Sequence, residues 1–127
     1  MGDLSGFHHV RLPVSDLAQA REWYERVLGL EVDAEFVESG VLVGVALADA
    51  DRTLTLALRH DPAHAAALSG FDVLTLRVPT REGIKQWRKR LDELGEPHGA
   101  LVTGSRGGMV LVGLHDPDGI EIRLYAD

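Results

Sequence analysis

The sequence predicts an α+β fold made of two tandem strand–helix–three-strand modules. Three observations carry that reading. Two amphipathic helical stripes stand in corresponding places of the two halves, most of the remaining chain alternates with period two, and the same landmarks recur in the same order.

In the first half, a strand over Phe7–Val14 alternates apolar and polar residues. The spacing then predicts a helix from about Asp16 to Leu28, with Ser15 or Asp16 as the cap. Its stripe is Leu17, Ala20, Tyr24, Val27 and Leu28, and Gly29 ends it. Glu31–Glu38 is a weaker strand pattern, and Val41–Leu47 and Thr53–Arg59 are stronger ones. VLVGVAL is unusually apolar, which implies burial on both faces or a dimer contact. Asp61–Gly70 is the only long connection, with room for a helical turn at its Ala run.

The second half repeats the order. Asp72–Val78 reads as a strand and Arg81–Leu94 as a helix capped by Thr80 and stopped by Gly95. Ile84, Trp87, Leu91 and Leu94 form its stripe. His98–Thr103 is a weaker strand, and Met109–Leu114 and Ile120–Tyr125 are stronger. Val14 maps onto Val78, 64 residues on, and Leu28-Gly29 onto Leu94-Gly95, 66 on. The second helix therefore carries two extra residues, and the later offset lays Leu54–Leu58 onto Ile120–Leu124. A single domain over 1–127 results, with module one at about 7–60, a linker at 61–70 and module two at about 71–126.

Composition narrows the function. The 127 residues are 45% apolar and 26% charged, as in a globular protein. Thirteen Lys+Arg against twenty Asp+Glu leave a net charge of −7, which lacks the broad basic footprint of nucleic-acid binding. The absence of Cys excludes disulfides, thiol nucleophiles and cysteine zinc sites. No apolar run reaches the ~20 residues of a membrane span, and the first residues lack the pattern of a secretory signal. The expected location is the cytoplasm, with no membrane and no nucleic-acid partner.

The duplication, together with His9-Val10-Arg11-Leu12-Pro13-Val14-Ser15-Asp16-Leu17, Trp23-Tyr24-Glu25-Arg26-Val27-Leu28-Gly29-Leu30 and Asp116-Pro117-Asp118-Gly119-Ile120-Glu121-Ile122, resembles the vicinal oxygen chelate superfamily. This is the group of glyoxalases, bleomycin-resistance proteins and extradiol dioxygenases, and the resemblance covers essentially the whole chain. It implies two βαβββ modules forming an open, U-shaped, eight-stranded barrel whose concave face holds a small-molecule ligand. It also implies a homodimer, in keeping with open sheet edges that invite pairing.

Metal-dependent relatives hold a divalent ion at corners of that face. By motif position those corners fall on His9, Ala57, Val73 and Arg123. Only His9 can ligate: Ala57 and Val73 have no donor atom, and Arg123 would repel the ion. A site of this kind normally needs about three protein ligands. Metal-free binding of a small molecule is therefore expected, with no cofactor. The alternatives are a metal-dependent lyase, dioxygenase or epimerase, a metal-free enzyme using His9 and Glu121 as acid and base, or a small partner-binding module.

Strand alternation sorts the side chains into faces. Val10, Leu12 and Val14 face the helices, as do Leu74, Leu76, Val78, Ile120, Ile122 and Leu124. The opposite set is His9, Arg11, Thr55, Arg59, Thr75, Arg77, Glu121, Arg123 and Tyr125, with Phe7, Pro13, Ala57 and Val73. Its several arginines suit the oxygens of an anionic or oxygen-rich ligand. The other histidines form no site. His8 is read as structural, His60 and His64 are separated by Asp61-Pro62, which disfavours a regular helix, and His98 and His115 sit in turns or at strand ends. His115–Gly119 reads as a turn, Ser105–Gly108 as a flexible hairpin, and Arg21, Glu22, Glu25 and Arg26 as a solvated helix face. Trp23 and Trp87 occupy equivalent helix positions and read as packing residues.

Overall fold

In the computed structural model, which describes residues 2–127, the chain forms two compact units that divide between Ala65 and Ala66. The first contains β1 (Val10–Val14), α1 (Leu17–Leu28), β2 (Glu31–Glu38), β3 (Val41–Ala48) and β4 (Thr55–His60). A short helix, α2 (Pro62–Leu68), spans the division. The second contains β5 (Asp72–Arg77), α3 (Arg81–Leu94), β6 (Leu101–Gly104), β7 (Gly107–His115) and β8 (Glu121–Ala126).

Each unit is a four-stranded sheet of the same design. The orders are β1-β4-β3-β2 and β5-β8-β7-β6, with the first strand of each unit parallel to its last and the other pairs antiparallel. The repeat holds to the residue. Val10 pairs with Leu56 in one sheet, and the residues 64 and 66 further on, Leu74 and Ile122, pair in the other.

Both main helices begin and end for the reasons their sequences suggest. Asp16 accepts from the Gln19 N–H and Thr80 from the Gly83 N–H, satisfying donors that the first turn leaves orphaned. Gly29 and Gly95 take left-handed φ of 72° and 68°, a conformation that penalises a side chain. The helices lie on their own sheets, α1 on β3 and β4 and α3 on β7 and β8. In the first unit Leu12, Val14, Tyr24, Val27, Leu47, Leu56 and Leu58 are fully buried. Ile84, Leu91, Leu111, Leu114, Ile122 and Leu124 fill the same role in the second. Burying each such side chain contributes about 1.5–3 kcal/mol.

Two expectations are corrected. The first strand starts at Val10, so Phe7, His8 and His9 lie outside it, and Phe7 is fully exposed. Val10 pairs with Leu56, and β4 begins only one residue before that, at Thr55, so little partner strand is left for residues 7–9. Asp49 binds the Thr53 hydroxyl at 2.6 Å and the Leu54 N–H at 2.9 Å, holding those residues in a turn before β4. Pro62 does not prevent a helix but starts one. A proline is well placed at a first helical position, where its missing N–H costs nothing, and the Asp61 carboxylate accepts from the His64 N–H. His60 ends β4 and His64 sits on α2, so their four-residue spacing is not helical.

Candidate functional site

Residues paired across a ladder point to the same face. In the first unit, Arg11, Ala57, Ala46 and Ala34 therefore form one row across all four strands. The next row is Pro13, Arg59, Gly44 and Phe36. The alanines make a low floor, with Ala46 and Ala57 8% and 5% exposed, and Arg11 stands at its edge. Gly44 keeps the second row low because the backbone demands it: a Cβ there would lie 2.7 Å from the Leu58 carbonyl oxygen. Strand alternation identified Arg11, Ala57 and Arg59. Ala34, Ala46 and Gly44 were missed, since their place on this face depends on the register of β2 and β3.

Arg59 is committed within this unit. Its guanidinium holds Glu38 through two bonds of 2.9 and 3.2 Å and keeps that carboxyl below its ordinary pKa. Arg11 acts on the same carboxylate only through space. Thr55 pairs with Ala48 at the end of the floor. His9, exposed and ahead of β1, has its Nδ1 2.8 Å from Nδ1 of His8, so one ring donates and the other accepts. His8 is thus the partner of His9 rather than a packing residue.

The second unit carries the same rows with other residues. Thr75 pairs with Arg123 and Arg77 with Tyr125. Arg123 occupies the repeat position of Ala57, and Thr75 that of Arg11. The Arg123 Nε donates to Glu121 Oε2 at 2.7 Å, and an Nη atom lies 3.4 Å from Asp72. The same Glu121 oxygen accepts the Gly113 N–H at 3.1 Å. Arg123, and then the Gly113 N–H, hold this buried carboxyl below its ordinary pKa against the opposing effect of burial. A carboxylate so held is a poor proton donor at neutral pH, which weakens the acid–base role for Glu121. Arg77 reaches Asp127 at 2.5 Å in an exposed pair. Tyr125 has its hydroxyl sealed among Gly104 and Gly108, with no hydrogen-bond partner among the described residues. Val73 lies in an irregularity of β5, between the paired residues Asp72 and Leu74.

The four corner positions fit a divalent ion poorly. In the first unit His9 stands off the strand and Ala57 has no donor. In the second, Val73 has none and Arg123 places a fixed cation bound to its own carboxylate. Among the described residues, no three His, Asp or Glu side chains gather closely enough to hold a metal ion.

The remaining polar residues have local tasks. Asp116 Oδ1 accepts the Asp118 and Ile120 N–H groups at 2.9 and 3.0 Å, and Gly119 takes φ of 83°, so Asp116–Gly119 is a turn into β8. Arg21 pairs with Glu25 and Arg26 with Glu22 along the exposed face of α1. Among the described residues no helix is long and apolar enough to cross a membrane.

Two βαβββ units of identical strand order define the paired-module class to which vicinal oxygen chelate proteins belong. The chain belongs to the Glyoxalase/Bleomycin resistance protein/Dioxygenase superfamily, whose family model matches residues 6–124. It is 27% identical over 132 residues to the putative ring-cleaving dioxygenase MhqA of Bacillus subtilis (strain 168). That alignment covers 98% of this chain but only 41% of the relative, so the chain spans about two fifths of that protein's length. Among solved structures, it is similar to TnmS3, an antibiotic-binding protein from Streptomyces sp. CB03234. The identity is 23%, the TM-score 0.78, and 99% of this chain and 98% of the other are covered. It is also similar to the fosfomycin resistance protein FosX from Listeria monocytogenes, at 16% identity and TM-score 0.74, covering 98% and 95%. At these identities the two structures speak for the fold.

Proposed function

We propose that this chain is a small-molecule binding protein of the superfamily that works without its metal ion and takes an oxygen-rich or anionic ligand. The observation that carries the reading is the row Arg11–Ala57–Ala46–Ala34, a floor of small side chains with a cation at its edge. Small side chains keep this row low on the sheet, and a guanidinium offers paired donors to a ligand's oxygens. The donor-poor set Ala57, Val73 and Arg123 supports the metal-free part. TnmS3, named for antibiotic binding, gives a precedent for a binding role on this fold. The enzyme reading draws support from MhqA, named a putative ring-cleaving dioxygenase, over only part of that protein.

Two measurements test the proposal. Purified chain exposed to Mn²⁺, Ni²⁺, Zn²⁺ and Fe²⁺ and then dialysed is expected to retain none in stoichiometric amount. One equivalent of ion that disappears in His9→Ala would overturn the metal-free reading. In a thermal-shift panel of anionic, neutral and cationic small molecules, the hits should be oxygen-rich or anionic, and both Arg11→Gln and Ala57→Phe should lose them. A panel whose hits are cationic, or unaffected by both substitutions, sinks the ligand assignment. The proposal includes a homodimer, for which the edge strands β2 and β6 supply unpaired backbone groups. Sedimentation showing monomer alone would remove that part.

A further inference from the structure

The duplication extends ahead of each first strand, and there the two copies differ in structure. Ser5-Gly6-Phe7 recurs 64 residues on as Ser69-Gly70-Phe71, and both glycines are left-handed, with φ of 97° and 84°. In the second unit this tripeptide is docked on its own sheet. The Gly70 N–H donates to the Gly119 carbonyl at 2.8 Å, and the Phe71 carbonyl accepts the Glu121 N–H at 2.9 Å. Asp72 then pairs with Glu121 as the first rung of the β5–β8 ladder. The matching residues of the first unit are Gly6, Phe7, Thr53 and Thr55. Among the described residues, no backbone bond joins residues 5–9 to Thr53 or to β4, and Phe7 is 92% exposed against 59% for Phe71. The two turns account for the difference. Gly119 lies against Ser69, and a Cβ there would run into the Ser69 hydroxyl. Its counterpart, counted back from β4, is Thr53, which carries a side chain held by Asp49.

We propose that residues 5–9 are a latch, open here, whose closed state extends β1 by the two bonds that the second unit makes. Gly6 then donates to the Thr53 carbonyl, and Thr55 donates to the Phe7 carbonyl. The left-handed glycine of the open arm is already that of the docked copy, so closing swings this turn without refolding it. Thr53 is the stop, because its Cβ stands where Ser5, the counterpart of Ser69, must lie. In the closed state His8 pairs with Thr55 as Asp72 does with Glu121. His8 and His9 then belong to the strand instead of the exposed arm, and the one corner residue able to ligate or to move a proton is fixed at the sheet. The latch rests on the duplication alone and holds whatever ligand the Arg11 row takes.

Amide hydrogen exchange tests the latch, with the Thr55 N–H as reporter and the Glu121 N–H, already bonded to Phe71, as internal reference. Thr53→Gly removes the stop and should slow exchange at Thr55 by about tenfold, the worth of one backbone hydrogen bond, while Glu121 stays within about twofold. Thr53→Ala loses the bond to Asp49 but keeps the Cβ, and should not slow Thr55. Adding Gly6→Ala to Thr53→Gly should return most of the protection, since the docked turn needs a left-handed residue. Replacing residues 50–53 by Pro-Asp-Gly, the turn of the second unit, is a second route to the closed state and should protect Thr55 as Thr53→Gly does. The Leu54 N–H, bound by Asp49, reports that the turn before β4 has kept its fold in each variant. The proposal is overturned if neither Thr53→Gly nor the exchanged turn slows Thr55, if Thr53→Ala slows it as much, or if Gly6→Ala leaves the protection in place. It is equally overturned if the protection rises with protein concentration, which marks docking on a second copy.

Discussion

The ring of Tyr125 takes the place that a side chain on Gly104 would need: a Cβ built there would lie 2.5 Å from the phenolic oxygen. Gly108, on the other side of the hairpin, is similarly close to the ring. The glycines of β6 and β7 thus exist to admit an aromatic residue from β8, an arrangement known to compensate glycines within sheets. The hydroxyl is left buried without a partner. A polar group in that state costs about 1–3 kcal/mol. Tyr125→Phe is therefore expected to raise stability by up to about 1 kcal/mol, part of the cost being recovered elsewhere on relaxation. Gly104→Ala should lower it by about 1–3 kcal/mol through overpacking. Urea unfolding of both variants is the check. A Tyr125→Phe protein less stable than wild type would mean that the hydroxyl has a partner.

Arg123 and Arg77 lie on one face of the second sheet, yet their carboxylate pairs should contribute unequally. Asp127 and Arg77 are both about three-quarters exposed, so Arg77→Ala is expected to cost less than about 0.5 kcal/mol. Removing Arg123 leaves the buried Glu121 carboxylate with only the Gly113 N–H, at a cost of about 1–3 kcal/mol. The pH dependence has a definite sign. The folded Glu121 pKa lies below its ordinary 4.5, so its contribution is present above that value and lost as pH falls through the lower folded one. Wild type should therefore lose more stability than Arg123→Ala on acidification below pH about 4.5. Parallel slopes would show that Arg123 does not set the Glu121 pKa.

Gly113 combines two constraints in one residue. Its φ is +78°, and a Cβ would lie 2.7 Å from the Gly99 nitrogen, which donates to the Val112 carbonyl. Gly113→Ala should cost more than the ~1 kcal/mol of a left-handed alanine alone, because it also breaks that contact and displaces the N–H serving Glu121. Hydrogen exchange at the amides of residues 99 and 113, compared with wild type, tests this. Unchanged protection at both amides would contradict it.

How much of this was readable in the sequence depends on the range of the interaction. Helix limits at Asp16, Gly29, Thr80 and Gly95 follow from contacts within a few residues, and the structure places them there. The offsets of 64 and 66 foresee the pairing of Val10 with Leu56 and of Leu74 with Ile122, because each copy builds the same ladder in its own sheet. The start of β1 at Val10 was not legible, since it depends on where its partner β4 begins, at the far end of the module. Nor were the partners of the arginines. Glu38 is 21 residues from Arg59, and Asp127 is 50 from Arg77, so alternation could assign a face but not a counter-ion. The alanine floor was hidden for a related reason: alanine is unremarkable in any one strand and informative only when three strands align.

His98 follows α3 in a segment where the sequence alone indicates a turn or strand end and no chemistry. Its Nε2 stands 2.6 Å from Asp92 Oδ1 and its Nδ1 2.7 Å from the Gly99 carbonyl oxygen. Both partners are acceptors, so the ring satisfies both only as the doubly protonated imidazolium. The Asp92 bond and then the Gly99 carbonyl raise its pKa above the ordinary 6.5, against burial and the repulsion of Arg88. Asp92 lies in the last turn of α3, so the bond ties the helix end to the segment leading into β6. A raised folded pKa makes the contribution fully present below about pH 6.5 and lost as pH climbs through the folded value. Asp92 is 65% exposed, which limits the effect to about 1 kcal/mol or less. Urea midpoints measured between pH 6 and pH 9 should fall more steeply for wild type than for His98→Gln. The His98 ring resonances should titrate above the unfolded range in wild type and move back toward it in Asp92→Asn. If His98→Gln keeps the wild-type slope, the imidazolium does not hold the end of α3.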